Sequence, residues 1–301
     1  MRPYADQMFP DLLETGGDFR VTFLGVSSLL FGDGKNKILT DGFFSRPSKL
    51  RFLTTRLKSD PQVINHCLER AGIKSLDAVI VVHSHYDHVM DAPIVALKTG
   101  AQLIGSESTA YVALGSDFPP DRITIIAGDE TINIGQFQIT PIVSDHVPSV
   151  LAPKGQIEAP LKPPAYWSCY KEGGSYSLLI AHGATKMLVQ GSAGFVKDGL
   201  KGRQADVVFL GIGQLGRQSD DYRDKYWSEV VTTVGARRVI PIHWDDFWKP
   251  LDRPLVPFPW YADNFHKSMR FLLERGNEEG VEVKLLPAWK AVDPFTGLEK
   301  T

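Results

Sequence analysis

A layered α/β fold, with sheets covered by helices, is what this sequence predicts, and three observations predict it. Short β-type runs cluster near the start of the chain. An uninterrupted apolar run, AVIVV at 78–82, has the pattern of a strand buried on both faces. Beyond it, strand-like and helix-like segments alternate, which is the order that places helices on the faces of a sheet.

The elements follow in order. Residues 19–24, 27–31 and 37–41 are separated by Gly25 and by the turn Gly32-Asp33-Gly34, which predicts a hairpin or meander. The helix expected at 61–71 has Asp60 or Ser59 to cap it, Pro61 in its first turn and Gly72 at its end. Val63, Ile64, Cys67, Leu68 and Ala71 recur at helical spacing, so one face is buried, Cys67 is a core residue and His66 lies off the stripe in solvent. Further strands are expected at 102–104, 131–134, 136–143, 175–181, 186–190, 206–212, 238–242 and 281–286, with helices near 92–98, 107–114, 222–234 and 261–274. Residues 147–174 are proline-rich and without periodicity, too long for a simple connection, which marks a functional loop or insertion. One domain over 1–301 carrying that loop is the expectation.

Composition excludes several classes. With 43% hydrophobic and 23% charged residues the chain is neither disordered nor membrane-embedded. No apolar stretch approaches the ~20 residues of a spanning helix, so no membrane insertion is expected. Lys plus Arg number 33 against 35 Asp plus Glu, a balance that argues against nucleic acid as a partner. Two cysteines make no disulfide scaffold, and the first residues hold no apolar core of a signal peptide; a cytoplasmic location is expected. Nothing in the sequence specifies an oligomeric state.

Chemistry concentrates directly after AVIVV, at His83-Ser84-His85-Tyr86-Asp87-His88. On extended backbone His83 and His85 project to one side, and Asp87 and His88, in the turn beyond, reach toward a second position. Imidazoles with a carboxylate are what a borderline divalent cation prefers. No G-x-S-x-G context surrounds Ser27, Ser28 or Ser192, so a serine nucleophile is not expected.

In these residues the chain resembles the metallo-β-lactamase superfamily, whose H-x-H-x-D-H motif they match in full. The resemblance extends in order to His146 in VSDHVPS and His243 in VIPIHWDD. Gly25 and Asp41 resemble the opening hairpin of the branch that includes ascorbate-phosphate lactonases and N-acylphosphatidylethanolamine phospholipase D, although Val26 stands where many members carry a histidine. The fold so implied is a four-layer αβ/βα sandwich of two mixed sheets flanked by helices. The implied cofactor is a divalent metal, zinc first, with manganese or iron as alternatives. His83, His85 and His146 would hold one ion, and Asp87, His88 and His243 would contribute to a second. The family's bridging aspartate falls at Ser192, and a neutral hydroxyl there implies one tightly held ion and a weakened second site. Asp245 and Asp246, just beyond His243, read as capping or loop-solvating residues, and His182 and His266 as surface or structural ones.

The activity implied is hydrolysis of a small-molecule ester, lactone or phosphodiester by metal-activated water, with Asp87 orienting that water as the catalytic residue. The alternatives are a mononuclear-iron oxidoreductase of the same fold and a non-catalytic metal-binding or sensing protein. Tyr166, Trp167 and Tyr170 on the long loop, and Trp244 beside His243, are candidates for an aromatic wall against substrate or for pins that hold loops down. The run Phe258-Pro259-Trp260-Tyr261 invites the same two readings.

Overall fold

The computed structural model describes residues 2–9, 19–150 and 152–298; part of the segment read above for a leader (residues 1 and 10–18) lies outside them. After a short 3-10 turn at Arg2–Gln7, the first half runs β1 (Arg20–Phe23), β2 (Leu29–Gly32), β3 (Lys37–Thr40), α1 (Lys49–Thr54), α2 (Pro61–Arg70), β4 (Ala78–Ile80), α3 (Tyr86–Val89), α4 (Ala92–Thr99), β5 (Gln102–Gly105), α5 (Glu107–Gly115) and β6 (Ile123–Ile125). The second half runs β7 (Ile132–Ile134), β8 (Phe137–Ser144), β9 (Ser175–His182), β10 (Thr185–Gln190), β11 (Val207–Gly211), α6 (Asp220–Trp227), β12 (Arg238–Ile242), α7 (Phe265–Glu279), β13 (Glu282–Val283) and β14 (Ala291–Val292).

Two seven-stranded mixed sheets result, ordered β14-β1-β2-β3-β4-β5-β6 and β13-β12-β11-β10-β9-β8-β7. In each, antiparallel pairing on one side gives way to parallel pairing on the other, from β3 to β6 and from β10 to β13. The AVIVV run explains the layering. Ala78, Ile80 and Val82 enter the core between the sheets, while Val79 and Val81 join the core under the helices; the two-residue period sends alternate side chains to opposite faces. Between the sheets Phe31 packs edge-on against Phe209 with ring centroids 5.5 Å apart, and truncating either ring to alanine would cost about 3–5 kcal/mol. Ile64, Cys67, Val95 and Val112, from α2, α4 and α5, cover the outer face of the first sheet. Trp227, Met269 and Leu272, from α6 and α7, join the core between sheet and helix on the other side. The α/β sandwich expected from the sequence is the fold observed.

Differences from expectation have local causes. The helix expected at 222–234 begins at Asp220, where Ser219 caps it, and from Ser228 to Thr232 it widens into a π-type turn. Of 281–286 only Glu282–Val283 pairs with β12 as a strand, because the Leu285 backbone instead bonds Gln7 and Phe9. Helix α1 carries one buried side chain, Phe52, and leaves Leu50 and Leu53 exposed, so it offered no apolar stripe to read. His66 is exposed and Cys67 buried, as the helical spacing predicted.

Parallel strands send their C-terminal ends to one edge. From that edge β4 leads into His83, β8 into His146, β10 into Ser192 and β12 into His243. The long loop after His146 is docked onto the first half: Leu57 and Ala165 exchange backbone hydrogen bonds of 2.6 and 2.9 Å, Ser84 donates to the Glu172 carbonyl at 2.7 Å, and Ile157 and Tyr170 are buried under the helices.

Candidate metal centre

Two triads of potential ligands meet at this edge. One ligand atom each from His83, His85 and His146 lie within 4.8 Å of one another, and so do those from Asp87, His88 and His243. The triads adjoin, since the His83 and His88 rings are 3.8 Å apart. In the second triad the separations are 3.2 Å between the Nε2 atoms of His88 and His243, 3.4 Å from His243 Nε2 to Asp87 Oδ2, and 3.6 Å from His88 Nε2 to Asp87 Oδ2. Ligands at about 2.1 Å from a tetrahedral ion lie about 3.4 Å from each other, so this triangle has the size of one face of such a site.

The hydrogen bonds select the ring nitrogens that remain as donors to an ion. A carbonyl only accepts, so His85 Nε2–H donates to Pro153 O at 3.1 Å and His146 Nδ1–H to Val147 O at 2.8 Å. That leaves Nδ1 of His85 and Nε2 of His146 with free lone pairs. His88 Nδ1 bonds Asp41 Oδ2 at 2.9 Å, which turns its Nε2 toward Asp87 and His243. His83 Nε2 is buried with no hydrogen-bond partner, as is His243 Nδ1. In His85, His146 and His88 one ring nitrogen is held from behind by an acceptor and the other is left toward the site, the arrangement a metal ligand requires, and the unpartnered buried Nε2 of His83 is otherwise costly. The donor set fits a divalent cation.

The triads differ in charge. Burial, reinforced by the neighbouring histidines His88, His85 and His146, holds His83 well below the ordinary histidine value. Burial likewise takes His85 down to about 4 and His146 down to about 3. His88 departs the other way: burial pushes it down, but Asp41 and Asp87 outweigh burial and raise it. Burial would raise the Asp87 carboxyl, yet His88, His243 and His85 together hold it well below the usual carboxylate range.

Two supports lie behind the second triad. Asp41, fully buried, accepts from Ser27 Oγ at 2.5 Å and from the Val82 amide at 2.9 Å besides holding His88. Asp245 is also fully buried: Oδ1 accepts the Val26 N–H at 2.8 Å and Oδ2 forms a 2.7 Å ion pair with Arg46. Val26 in turn accepts the His243 N–H at 2.6 Å. Val26 and His243 both have positive φ, 53° and 55°, a conformation costing about 1–3 kcal/mol for a non-glycine residue and sustained only by such surroundings. Gly25 is required here, because a Cβ would stand 1.9 Å from Arg46 Nη2. Asp245 is therefore neither a cap nor solvated, contrary to the sequence reading, and Asp246 departs from it as well: it is buried, heads no helix and accepts the Trp248 N–H at 3.0 Å within a turn. No spacing rule reveals either support, since Ser27 and Asp41 are 14 residues apart and Asp245 and Val26 are 219 apart.

Ser192 lines the cleft above the triads, and its Oγ accepts the Val147 amide at 3.0 Å. The cleft measures about 490 Å³. Of the four aromatics expected to wall it, Trp167 does. Tyr170 is turned into the core under the helices, Trp244 packs between Phe23 and Phe265, and Tyr166 is half-exposed beside Arg56. Tyr170 and Trp244 act as pins: Tyr170 is buried with Ile157 and Ala165 of the same docked loop, and Trp244 lies at a strand end where its neighbours Ile242 and Asp245 are buried too. Phe52, Phe247, Trp248 and Phe258 line the cleft instead. Phe258 and Tyr261 belong to the aromatic run noted in the sequence; Trp260 within it is exposed. Outside the cleft, His182 stacks on Phe19 and Phe137 at 5.0 Å each, and His266 bonds Tyr4 Oη at 2.9 Å.

Residues 36–244 match the family model described as the β-lactamase superfamily domain. A UPF0173 metal-dependent hydrolase of Heliobacterium modesticaldum is 24% identical over 237 residues, covering 75% of this chain and 83% of its own. Among solved structures the fold is similar to Igni18, a metallo hydrolase of Ignicoccus hospitalis, with a TM-score of 0.56, 15% identity and coverage of 91% of this chain and 97% of that one. It is likewise similar to the metallo-β-lactamase fold protein YhfI of Bacillus subtilis, with a TM-score of 0.54, 15% identity and coverage of 91% and 98%.

Proposed function

The chain belongs to the β-lactamase superfamily, and from that membership we propose that it is a metal-dependent hydrolase of a small-molecule ester, lactone or phosphodiester. The observation that carries the reading is the pair of adjoining triads, with His85, His146 and His88 each held from behind by an acceptor, in a cleft lined by His85, Asp87, His146 and His243. His83, His85 and His146 would hold one ion, zinc by donor preference, and Asp87, His88 and His243 a second, more weakly held one. When bound, such an ion supplies Lewis-acid chemistry, acidifying water toward neutral pH and polarising the scissile group.

The chain's own residues do the rest. Asp87, held ionised by its histidine neighbours, accepts a hydrogen bond from the attacking water and orients it. Asp41 and Ser27 keep His88 in one tautomer. Val147 and Pro148 on one side and Phe247 and Trp248 on the other exclude bulk water from the cleft. Ser192 carries no charge, and the resemblance would put it at the superfamily's bridging carboxylate, which supports unequal affinity for the two ions. Metal analysis of the purified protein together with kinetics of His85→Ala tests the reading. Zinc or manganese bound by the wild type, lost together with ester or diester hydrolysis in the variant, supports it. Iron as the dominant metal, or hydrolysis undiminished in His85→Ala, would overturn it.

A further inference from the structure

Resting on that hydrolytic reading, we infer that the substrate is an uncharged carboxylic ester or lactone bearing a flat apolar group, and not a phosphodiester. The cleft has one continuous aromatic wall. Phe247 and Phe258 meet edge-to-face at 4.8 Å, and Trp248 meets Phe258 at 5.1 Å. Trp248 continues to Phe52 at 5.5 Å, and Phe52 to Trp167 at 5.1 Å. The wall reaches the triads directly, since the Phe247 ring lies 5.7 Å from that of His243. Of its two indole N–H groups, that of Trp248 is already paired: Nε1–H donates to Tyr86 Oη at 3.2 Å. A ring laid against the Phe247, Phe258 and Trp248 part of this surface gains burial without leaving the Trp248 N–H unpaired.

The polar groups around the cleft are engaged in holding loops. Arg217 is the one Lys or Arg lining it among the described residues, and its Nη1 donates to the Tyr261 carbonyl at 2.9 Å. Gln218 Nε2 donates to the carbonyls of Pro148 and Gln214 at 3.2 and 3.3 Å. Asp263, itself buried, accepts the Gln214 and Asn264 amides at 2.9 and 2.7 Å. A diester anion is recognised by several free N–H or cationic donors; this cleft offers chiefly apolar rings, with one guanidinium, Arg217, in its lining and the Lys49 ammonium drawn over the Trp248 and Tyr261 rings at 5.6 and 5.0 Å. A volume of about 490 Å³ suits a ligand of one ring plus a scissile ester, within the usual range for small-molecule sites.

The test compares three substrates on the zinc- or manganese-loaded protein by pH-stat: ethyl acetate, benzyl acetate and dibenzyl phosphate. The two acetates have alkoxide leaving groups of similar reactivity, and the phosphate carries the same rings on an anionic centre. The expected order is benzyl acetate over ethyl acetate by about 30-fold or more in kcat/KM, with dibenzyl phosphate at least about tenfold below benzyl acetate. Phe258→Ala, and Phe258→Leu as the milder variant should the first fail to fold, lower the benzyl-to-ethyl ratio by about tenfold. Preference for dibenzyl phosphate, or a ratio near one that neither variant changes, would overturn the inference. If none of the three is hydrolysed, the proposed reaction fails, and the cleft is judged separately by tryptophan fluorescence. Benzylacetone, a ketone that cannot be hydrolysed, should then quench wild-type fluorescence at concentrations about tenfold lower than those needed in Phe258→Leu. Equal quenching in the two proteins overturns the inference on its own.

Discussion

The two ligand triads share a floor but are built on opposite electrostatic plans. His83, His85 and His146 are three imidazoles with no carboxylate among them. Their orienting partners are backbone carbonyls, at Pro153 and Val147. Asp87, His88 and His243 include a carboxylate and lean on another, Asp41, with the Asp245–Arg46 pair behind them. The first triad is held by neutral acceptors and is kept neutral by burial. The second is held by charge. An ion at the first would be bound by intrinsic nitrogen affinity, whereas an ion at the second would depend on how well the surrounding charges are kept in place.

Removing a ligand from the neutral triad should have the largest effect. His83→Ala deletes a buried donor that nothing nearby replaces; metal content should fall in both positions and hydrolysis by about 10³-fold or more, read by elemental analysis and kinetics. If hydrolysis survives, the triads do not depend on each other as described. Asp245→Ala breaks a fully buried ion pair and should destabilise the protein by about 3–5 kcal/mol, seen as a lower Tm, with metal loss confined to the second triad. Equal loss from both would show that the strut braces the whole cleft. Asp41→Asn keeps the volume and removes the charge, and should weaken second-ion binding by about 10–100-fold in calorimetric titration, leaving the first unchanged.

Acid should separate the triads in the metal-free protein. The histidines of the first triad have folded values below their unfolded one, so the unfolded chain takes up protons first and stability falls as pH drops below about 6.5. The loss continues toward about 4 for His85 and about 3 for His146, at up to about 1.4 kcal/mol per pH unit per histidine. His88, raised by Asp41 and Asp87, acts with the opposite sign: its contribution is full below the unfolded value and is lost as pH rises through its folded value. Denaturant melts between pH 7 and 4 should therefore lose stability with roughly the weight of the three first-triad histidines, His88 adding no slope below about 6.5, and those of Asp41→Asn with more. A flat profile would refute the contrast. Ser192→Asp should give the smallest change, a few-fold rise in second-ion affinity. Unchanged stoichiometry would mean that this position does not bridge the triads.

What the sequence disclosed about the site follows the range of its physical signals. His83, His85, Asp87 and His88 sit in one strand exit, so local spacing alone brings them together. His146 and His243 became legible as partners only because each follows an apolar strand run in the order the motif leads one to expect. The two mixed sheets were legible for the same reason, through period-two apolar runs such as AVIVV. Sequence reasoning failed where the decisive fact is which way a side chain turns on irregular backbone. Tyr170 and Trp167 lie three residues apart on one loop, yet one is a core pin and the other faces the cleft. Phe52 was invisible because α1 buries a single residue, and Asp245 because its partner is more than 200 positions away.

Each triad takes two members from the first half of the chain and one from the second. On the ribosome this sets a timetable. The members of the neutral triad have all emerged by residue 146, and its two orienting carbonyls by Pro153, while its charged neighbour must wait for His243, near the close of synthesis. A nascent chain arrested between these points would contain every member of one triad and lack one of the other.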